Sequence, residues 1–222
     1  MYQNIATKVL TGEVRLSYVN LITPRASQAS QEPKYSVTLL IPKSDQATIA
    51  DINASIQAAY DDGVTKKWGG AHPQPKVILH DGDGLRQSGL PFGDECKGHW
   101  VLTASTKNKP QVVGIDNINC ELAPQDIYSG MYARVTINFF AYDAGGSKGV
   151  GCGLGNVLKT RDGEPLAGGA SAATDFAAIG VQTPQAFAPQ YSVPQTPQAF
   201  APQYSVPQTQ RPAVNPVTGR PW

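Results

Sequence analysis

Charge is scarce in this sequence. Only 16% of its 222 residues are Asp, Glu, Lys or Arg, against roughly 25% in an ordinary globular chain. Net charge is +1, and up to Pro165 there are 16 basic and 16 acidic residues, so the main body is neutral. A basic field over the whole molecule is therefore excluded, and any phosphate contact must come from local clustering. No apolar run nears the roughly 20 residues of a bilayer span, so no membrane partner is expected. The start, Met1-Tyr2-Gln3-Asn4, has neither the basic nor the apolar stretch of a secretory signal. Cys96, Cys120 and Cys152 are odd in number and far apart, which argues against a disulfide framework. His72, His80 and His99 have no metal-ligand spacing, and Cys-x-x-Cys, His-Glu-x-x-His and Gly-x-Ser-x-Gly are all missing. No catalytic residue, metal or cofactor is expected. The reading is a soluble protein of a reducing cytoplasm.

What the chain does have is two unlike parts. Residues 1–167 read as one domain and residues 168–222 as a tail. From Gly168 to Gly180 the tail is mostly Ala, Gly and Ser, and from Thr183 onward it holds nine of the chain's 18 prolines. Residues 183–195 recur unchanged as 196–208. Two such short, proline-rich copies do not make a solenoid, whose repeats run about 20–50 residues. The tail buries too little to offset its ordering entropy and is expected to be disordered, with polyproline-II character.

The body reads as mainly β. Residues 6–21 are rich in Val, Leu, Thr and Tyr, and 34–41 alternate with Tyr35, Val37, Leu39 and Ile41 on one face. Shorter strands are expected at 76–79, 99–106 and 110–114, and the longest at 128–142, with turns at Asp81-Gly-Asp-Gly84, Asn108-Lys-Pro110 and Gly145-Gly146. One helix follows Pro42, with Ser44 as N-cap. It carries Ile49, Ile52, Ile56 and Tyr60 at helical spacing and closes at Asp61-Asp62-Gly63. Strands around one amphipathic helix, without βαβ alternation, point to a small antiparallel barrel or an α+β sheet.

Chemistry-bearing patterns are few. Asp81 and Asp83, flanked by glycines, read as a turn before they read as a cation site. Gly149, Gly151, Gly153 and Gly155 fall on one strand face, with Val150, Cys152 and Leu154 on the other. This is not a phosphate loop. A face without side chains suits close packing in a tight barrel, or the approach of a ligand backbone.

The informative segment is 131–142. One face carries Met131, Ala133, Val135, Ile137, Phe139 and Ala141, a core stripe. The other carries Tyr132, Arg134, Thr136, Asn138, Phe140 and Tyr142. Rings for stacking bases beside a cation for phosphates suit a single-stranded nucleic acid, although the same rings could pack under a loop. Basic residues recur beside aromatics elsewhere. Lys107-Asn-Lys109 follows the Trp100 strand, Lys34 and Lys43 bracket the 34–41 strand, and Arg15 lies opposite Tyr18 in strand parity. Lys66-Lys67-Trp68 forms a further cationic-aromatic cluster.

Four stretches, Gly12–Tyr18, Pro33–Asp45, Tyr128–Tyr142 and Gly149–Pro165, together resemble a family of tailed-phage single-stranded DNA-binding proteins with an OB fold. The resemblance spans nearly all of the body. It implies sequence-independent binding of single strands, coating and protection during phage replication or recombination, cooperative or oligomeric assembly, and residence in the host cytoplasm. The expected DNA-binding set is Tyr132, Arg134, Phe140, Tyr142, Lys107, Lys109, Trp100, Lys34, Lys43 and Arg15, with weaker binding to duplex. Two features depart from this pattern. Such proteins often end in an acidic tail, whereas residues 183–222 hold no Asp or Glu. The body also exceeds a minimal five-stranded barrel, so the helix must be an insertion or a strand connection. The tail offers Phe187, Tyr191, Phe200, Tyr204 and Trp222 to a replication partner or to self-association, or serves as a solubilising spacer. Rival readings are a virion or replisome adaptor acting through this tail, and a metal-dependent enzyme using Asp81, Asp83 and Asp94.

Overall fold

The computed structural model describes residues 2–26 and 32–166. The tail from Gly168, with its repeats and its expected disorder, lies outside the described residues. In chain order the elements are β1 (Lys8–Leu10), β2 (Val14–Arg25), β3 (Lys34–Pro42), α1 (Gln46–Lys66), β4 (Leu79–Asp81), β5 (His99–Thr106), β6 (Val112–Gly114), β7 (Asn117–Glu121), β8 (Tyr132–Ala144) and β9 (Ser147–Arg161).

Five of these strands close a ring. β2 pairs antiparallel with β3, β3 with β5, β9 with β8, and β8 with β2. The remaining seam, β5 to β9, is parallel and runs through Ser105 and Gly153. This is an OB-type barrel, antiparallel except at that seam. Outside the ring, β1 joins β8, β4 joins β5, and β6 lies parallel to β9 with β7 beyond it.

Strand alternation builds the core. Leu16 and Leu21 of β2, Leu39 and Ile41 of β3, Leu102 of β5, and Val135, Ile137 and Phe139 of β8 are all buried, as is Met131 just before β8. Each contributes about 1.5–3 kcal/mol by leaving water. The expected strand over 6–21 divides in two at Thr11–Glu13, where the Gly12 N–H donates to Thr48 Oγ1 at 2.8 Å. The last strand extends past the glycine run to Arg161, and β7 has no counterpart in the sequence reading.

The helix connects barrel strands β3 and β5 and packs on β8, β1 and β9. Ile49 and Ile52 are buried, and Ile56 and Tyr60 pack against the core. Its N-cap is Asp45 rather than Ser44, because the Asp45 carboxylate accepts the Thr48 N–H at 3.1 Å. Nor does Gly63 end it. The helix runs on to Lys66, and a Cβ at Gly63 would stand 2.6 Å from the Trp68 ring. That glycine serves close approach of an indole, not termination. Trp68 is 3% exposed and donates its indole N–H to the Tyr142 carbonyl at 3.0 Å. Lys67 donates to the Ala141 carbonyl and Lys66 pairs with Asp62. Lys67 and Trp68 are thus a structural clasp between helix and β8, while Lys66 pairs within the helix, correcting the reading of the three as one cationic-aromatic cluster.

Candidate nucleic-acid interface

The barrel's outer face gathers one groove. Ladder register sets Asn20 of β2 against Ser36 of β3, Ser36 against Ser105 of β5, and Ser105 against Gly153 of β9. Gly153 faces Asn138 of β8, and Asn138 faces Lys8 of β1. Small polar groups therefore follow one another around the barrel. Side chains bridge the strands here: Asn20 Nδ2 donates to Ser36 Oγ at 3.3 Å, and the Thr38 and Thr103 hydroxyls lie 3.2 Å apart.

A cavity of about 510 Å³ lies along this row, bordered by Lys8, Lys34, Lys107, Thr136, Asn138 and Phe140. A second, of about 450 Å³, shares Lys34, Ser105 and Lys107 and adds Arg25 and Glu32. Four cations thus border one trough. Glu32 is its acidic group and pairs with Lys107.

The aromatic wall rests on the glycine run. A Cβ at Gly151 would stand 2.9 Å from Phe140, and one at Gly149 2.8 Å from the Tyr142 hydroxyl. The four glycines are therefore seats for side chains of β8, with Thr136 over Gly155. Phe140 remains 46% exposed above this floor. Its face is available to a planar partner.

The ten expected site residues divide among several places. Lys34, Lys107 and Phe140 come together in the groove. Lys109 reaches away to Glu121, at 3.0 Å. Tyr142 has Lys76 5.8 Å from its ring centroid and lends its carbonyl to Trp68. Trp100 and Lys43 stand at the other end of β5 from Lys107, with Lys43 Nζ 5.5 Å from the indole centroid. Trp100 borders a separate apolar cavity of about 1020 Å³ with Val77, Leu79 and Leu85. Lys43 bonds Asp81 and Asp83, which raises its own pKa and lowers both of theirs.

The remaining three lie toward the beginning of β8. The Arg161 guanidinium stacks 3.4 Å from the Tyr132 ring centroid, and Arg15 lies 5.9 Å from it. Arg15 also donates to the Glu164 carbonyl at 2.7 Å. Arg134 is exposed close by. Hydrogen bonds from Thr160 and then Arg161 hold the Glu13 carboxyl below its ordinary range. This cluster ties the end of β9 to the barrel.

The Enc34_ssDNA-bd model, described as Enterobacter phage Enc34, ssDNA-binding protein, matches residues 7–187. The chain belongs to this family. Protein p50 of Acyrthosiphon pisum secondary endosymbiont phage 1 is 32% identical over 180 residues, covering 76% of this chain and 91% of p50. Among solved structures, the single-stranded DNA-binding protein from bacteriophage Enc34 in complex with ssDNA is similar at TM-score 0.63. It is 28% identical, over 73% of this chain and 90% of that one. Bacteriophage T7 gp2.5, a single-stranded DNA-binding protein, shares the fold at TM-score 0.50 and 16% identity, over 79% and 94% of the two chains.

In this Enc34-family chain the sequence reading missed Lys8, Arg25, Ser105 and Arg161. Lys8 and Arg25 sit among strand-forming residues as single basic positions. Only the β1–β8 pairing brings Lys8 beside Asn138. Arg161 carried a usable signal, since it continues the strand that the glycine run begins.

Proposed function

We propose that this chain binds single-stranded DNA without preference for sequence, in the outer groove of its barrel. It coats and protects strands during phage replication or recombination in the host cytoplasm. One observation carries this reading: an exposed Phe140 ring, seated on glycines, in a trough bordered by Lys8, Arg25, Lys34 and Lys107. Ring stacking accepts any base, and the cations meet phosphates, so affinity needs no base-edge readout. Family membership supports the same reading.

Binding, not catalysis, is the activity. The acids that would serve a metal-dependent enzyme are engaged by lysines, Asp81 and Asp83 by Lys43 and Asp94 by Lys97. Duplex binds more weakly, because paired bases withhold their faces from Phe140. Copies assemble side by side on the strand, and the tail offers its Pro and aromatic motifs to a replication protein.

Titration of labelled oligo-dT with the full chain, followed by fluorescence anisotropy across a salt series, tests this. Tight, salt-sensitive binding to the single strand and weaker binding to a matching duplex are expected. Equal affinity for duplex would overturn the groove reading, and no binding at low salt would return the adaptor reading.

A further inference from the structure

We infer that Tyr18 is a second base-stacking platform, which carries single-stranded DNA across the barrel strands from Phe140 to β2. The inference rests on the reading that the outer groove binds single strands. Among the described residues, Tyr18 and Phe140 are the exposed aromatics, at 62% and 46%.

The backbone singles out Tyr18. Its φ is +47°, and the other two non-glycine residues with positive φ, Gln3 and Asn4, lie in the turn before β1. A bulky residue there is a genuine outlier, and such strain persists where surrounding structure over-determines it, often at ligand sites. The surroundings do so here. The Val19 N–H donates to Ser129 Oγ at 3.1 Å, and Asn20 Nδ2 donates to the Tyr18 carbonyl at 3.1 Å.

A β-bulge explains the outward ring. Ser17 pairs with Thr38, but the next pair is Asn20 with Ser36, so one extra β2 residue is accommodated. Regular alternation from buried Leu16 would turn Tyr18 inward. The bulge instead sends Val19 and Leu21 to the core and leaves Tyr18 exposed, with Asn20 half-buried beside it. It also cancels the expected opposition of Arg15 and Tyr18, which border one cavity of about 640 Å³. Two acids, Glu95 and Glu164, border the same cavity, so the ring's apolar face is the attraction there rather than local charge.

The floor between the two rings is low and polar. Ser36, Thr38, Thr103 and Ser105 lie between Tyr18 and the Phe140 seat, with Arg25, Lys34 and Lys107 along one margin. Three inter-strand steps separate β2 from β9, about 14 Å measured along the sheet. A route lengthwise along β3 and β5 is closed, because Leu166, Phe92 and Cys96 cover Leu40 and Val101 at the far end.

The test uses the full chain with labelled oligo-dT. Tyr18→Gly is expected to raise Kd about tenfold, as loss of one stacked base should. The salt slope stays at the wild-type value, since no phosphate contact is lost. Its Tm does not fall, because glycine adopts this φ without strain. Tyr18→Phe keeps the ring and binds as wild type. Photo-crosslinking of the unmutated chain to 5-iodo-deoxyuridine oligonucleotide should label the peptide containing Tyr18. If Tyr18→Gly binds as wild type and its peptide stays unlabelled, while Phe140→Ala loses affinity, the crossing path fails and the groove stands. Failure of the unmutated chain to bind at all removes the groove reading itself.

Discussion

The Phe140 ring rests on Gly151, where an added Cβ would stand 2.9 Å from its Cζ. Gly153 extends the same floor, with its would-be Cβ 3.5 Å from the ring. The exposed aromatic of the groove is thus seated where side chains are absent beneath it. Antiparallel register makes this work, since Phe140 of β8 faces Gly151 of β9 directly.

Gly151→Ala should therefore act on binding before stability. The atom it meets is the far end of a side chain, which can swing away, so Kd for oligo-dT rises severalfold with little change in Tm. Gly155→Ala is the contrasting case. There the new methyl meets the Thr136 backbone carbonyl at 2.9 Å, and about 1–3 kcal/mol of stability should be lost on urea titration. Equal effects of both changes on Tm would contradict this division.

Lysines in the groove should appear in the salt dependence. Lys34→Ala and Lys107→Ala are each expected to flatten the slope of log K against log salt by about 0.7. Lys109→Ala and Lys43→Ala should leave it unchanged, because neither side chain borders the groove: Lys109 pairs with Glu121, and Lys43 pairs with Asp81 and Asp83 at the other end of β5. Anisotropy at four or more salt concentrations reads all four variants.

Tyr132 and Trp68 should behave as structural aromatics. Tyr132→Ala removes the Arg161 stack and should cost about 1–3 kcal/mol of stability. Trp68→Ala empties a buried site and should cost about 3–5 kcal/mol. Urea denaturation measures both, and anisotropy under folding conditions should find Tyr132→Ala near wild-type affinity. A large loss of affinity with unchanged stability would return Tyr132 to the DNA surface.

The Lys43–Asp83 contact makes a pH prediction. Its bond to Lys43 holds the Asp83 carboxyl below the usual 3.8, so the contact adds stability above that pH. That increment disappears as pH falls through the lower folded-state value. The Tm difference between wild type and Asp83→Asn should be present at pH 6 and shrink as pH falls below 3.8. Asp83 Oδ1 also accepts the Gly98 N–H at 2.8 Å, and the asparagine amide oxygen can keep that bond, so the comparison isolates the ion pair. A difference that widens toward acid would refute the assignment.

Much of the fold was legible in local pattern. Alternation from Met131 to Tyr142 separated the core face of β8 from its outer face, and periodicity placed Ile49, Ile52, Ile56 and Tyr60 on the packed side of the helix. Two local rules misled. Gly63 looked like a stop because its burial beneath Trp68 is a long-range contact, and Trp68 looked like surface because its carbonyl partner lies 74 residues away.

By itself, then, the sequence determined most of the strands, the helix, the core stripe and the family, because those depend on residues close together along the chain. Which aromatics and cations share a surface was decided by the tertiary structure alone. Register around a closed ring brought Lys8, Lys34, Lys107 and Phe140 into one groove and drew Lys43, Lys109 and Tyr132 to partners elsewhere. A single bulge turned Tyr18 outward. Strand parity says which side of a sheet a residue faces; only the pairing of distant strands says what stands beside it.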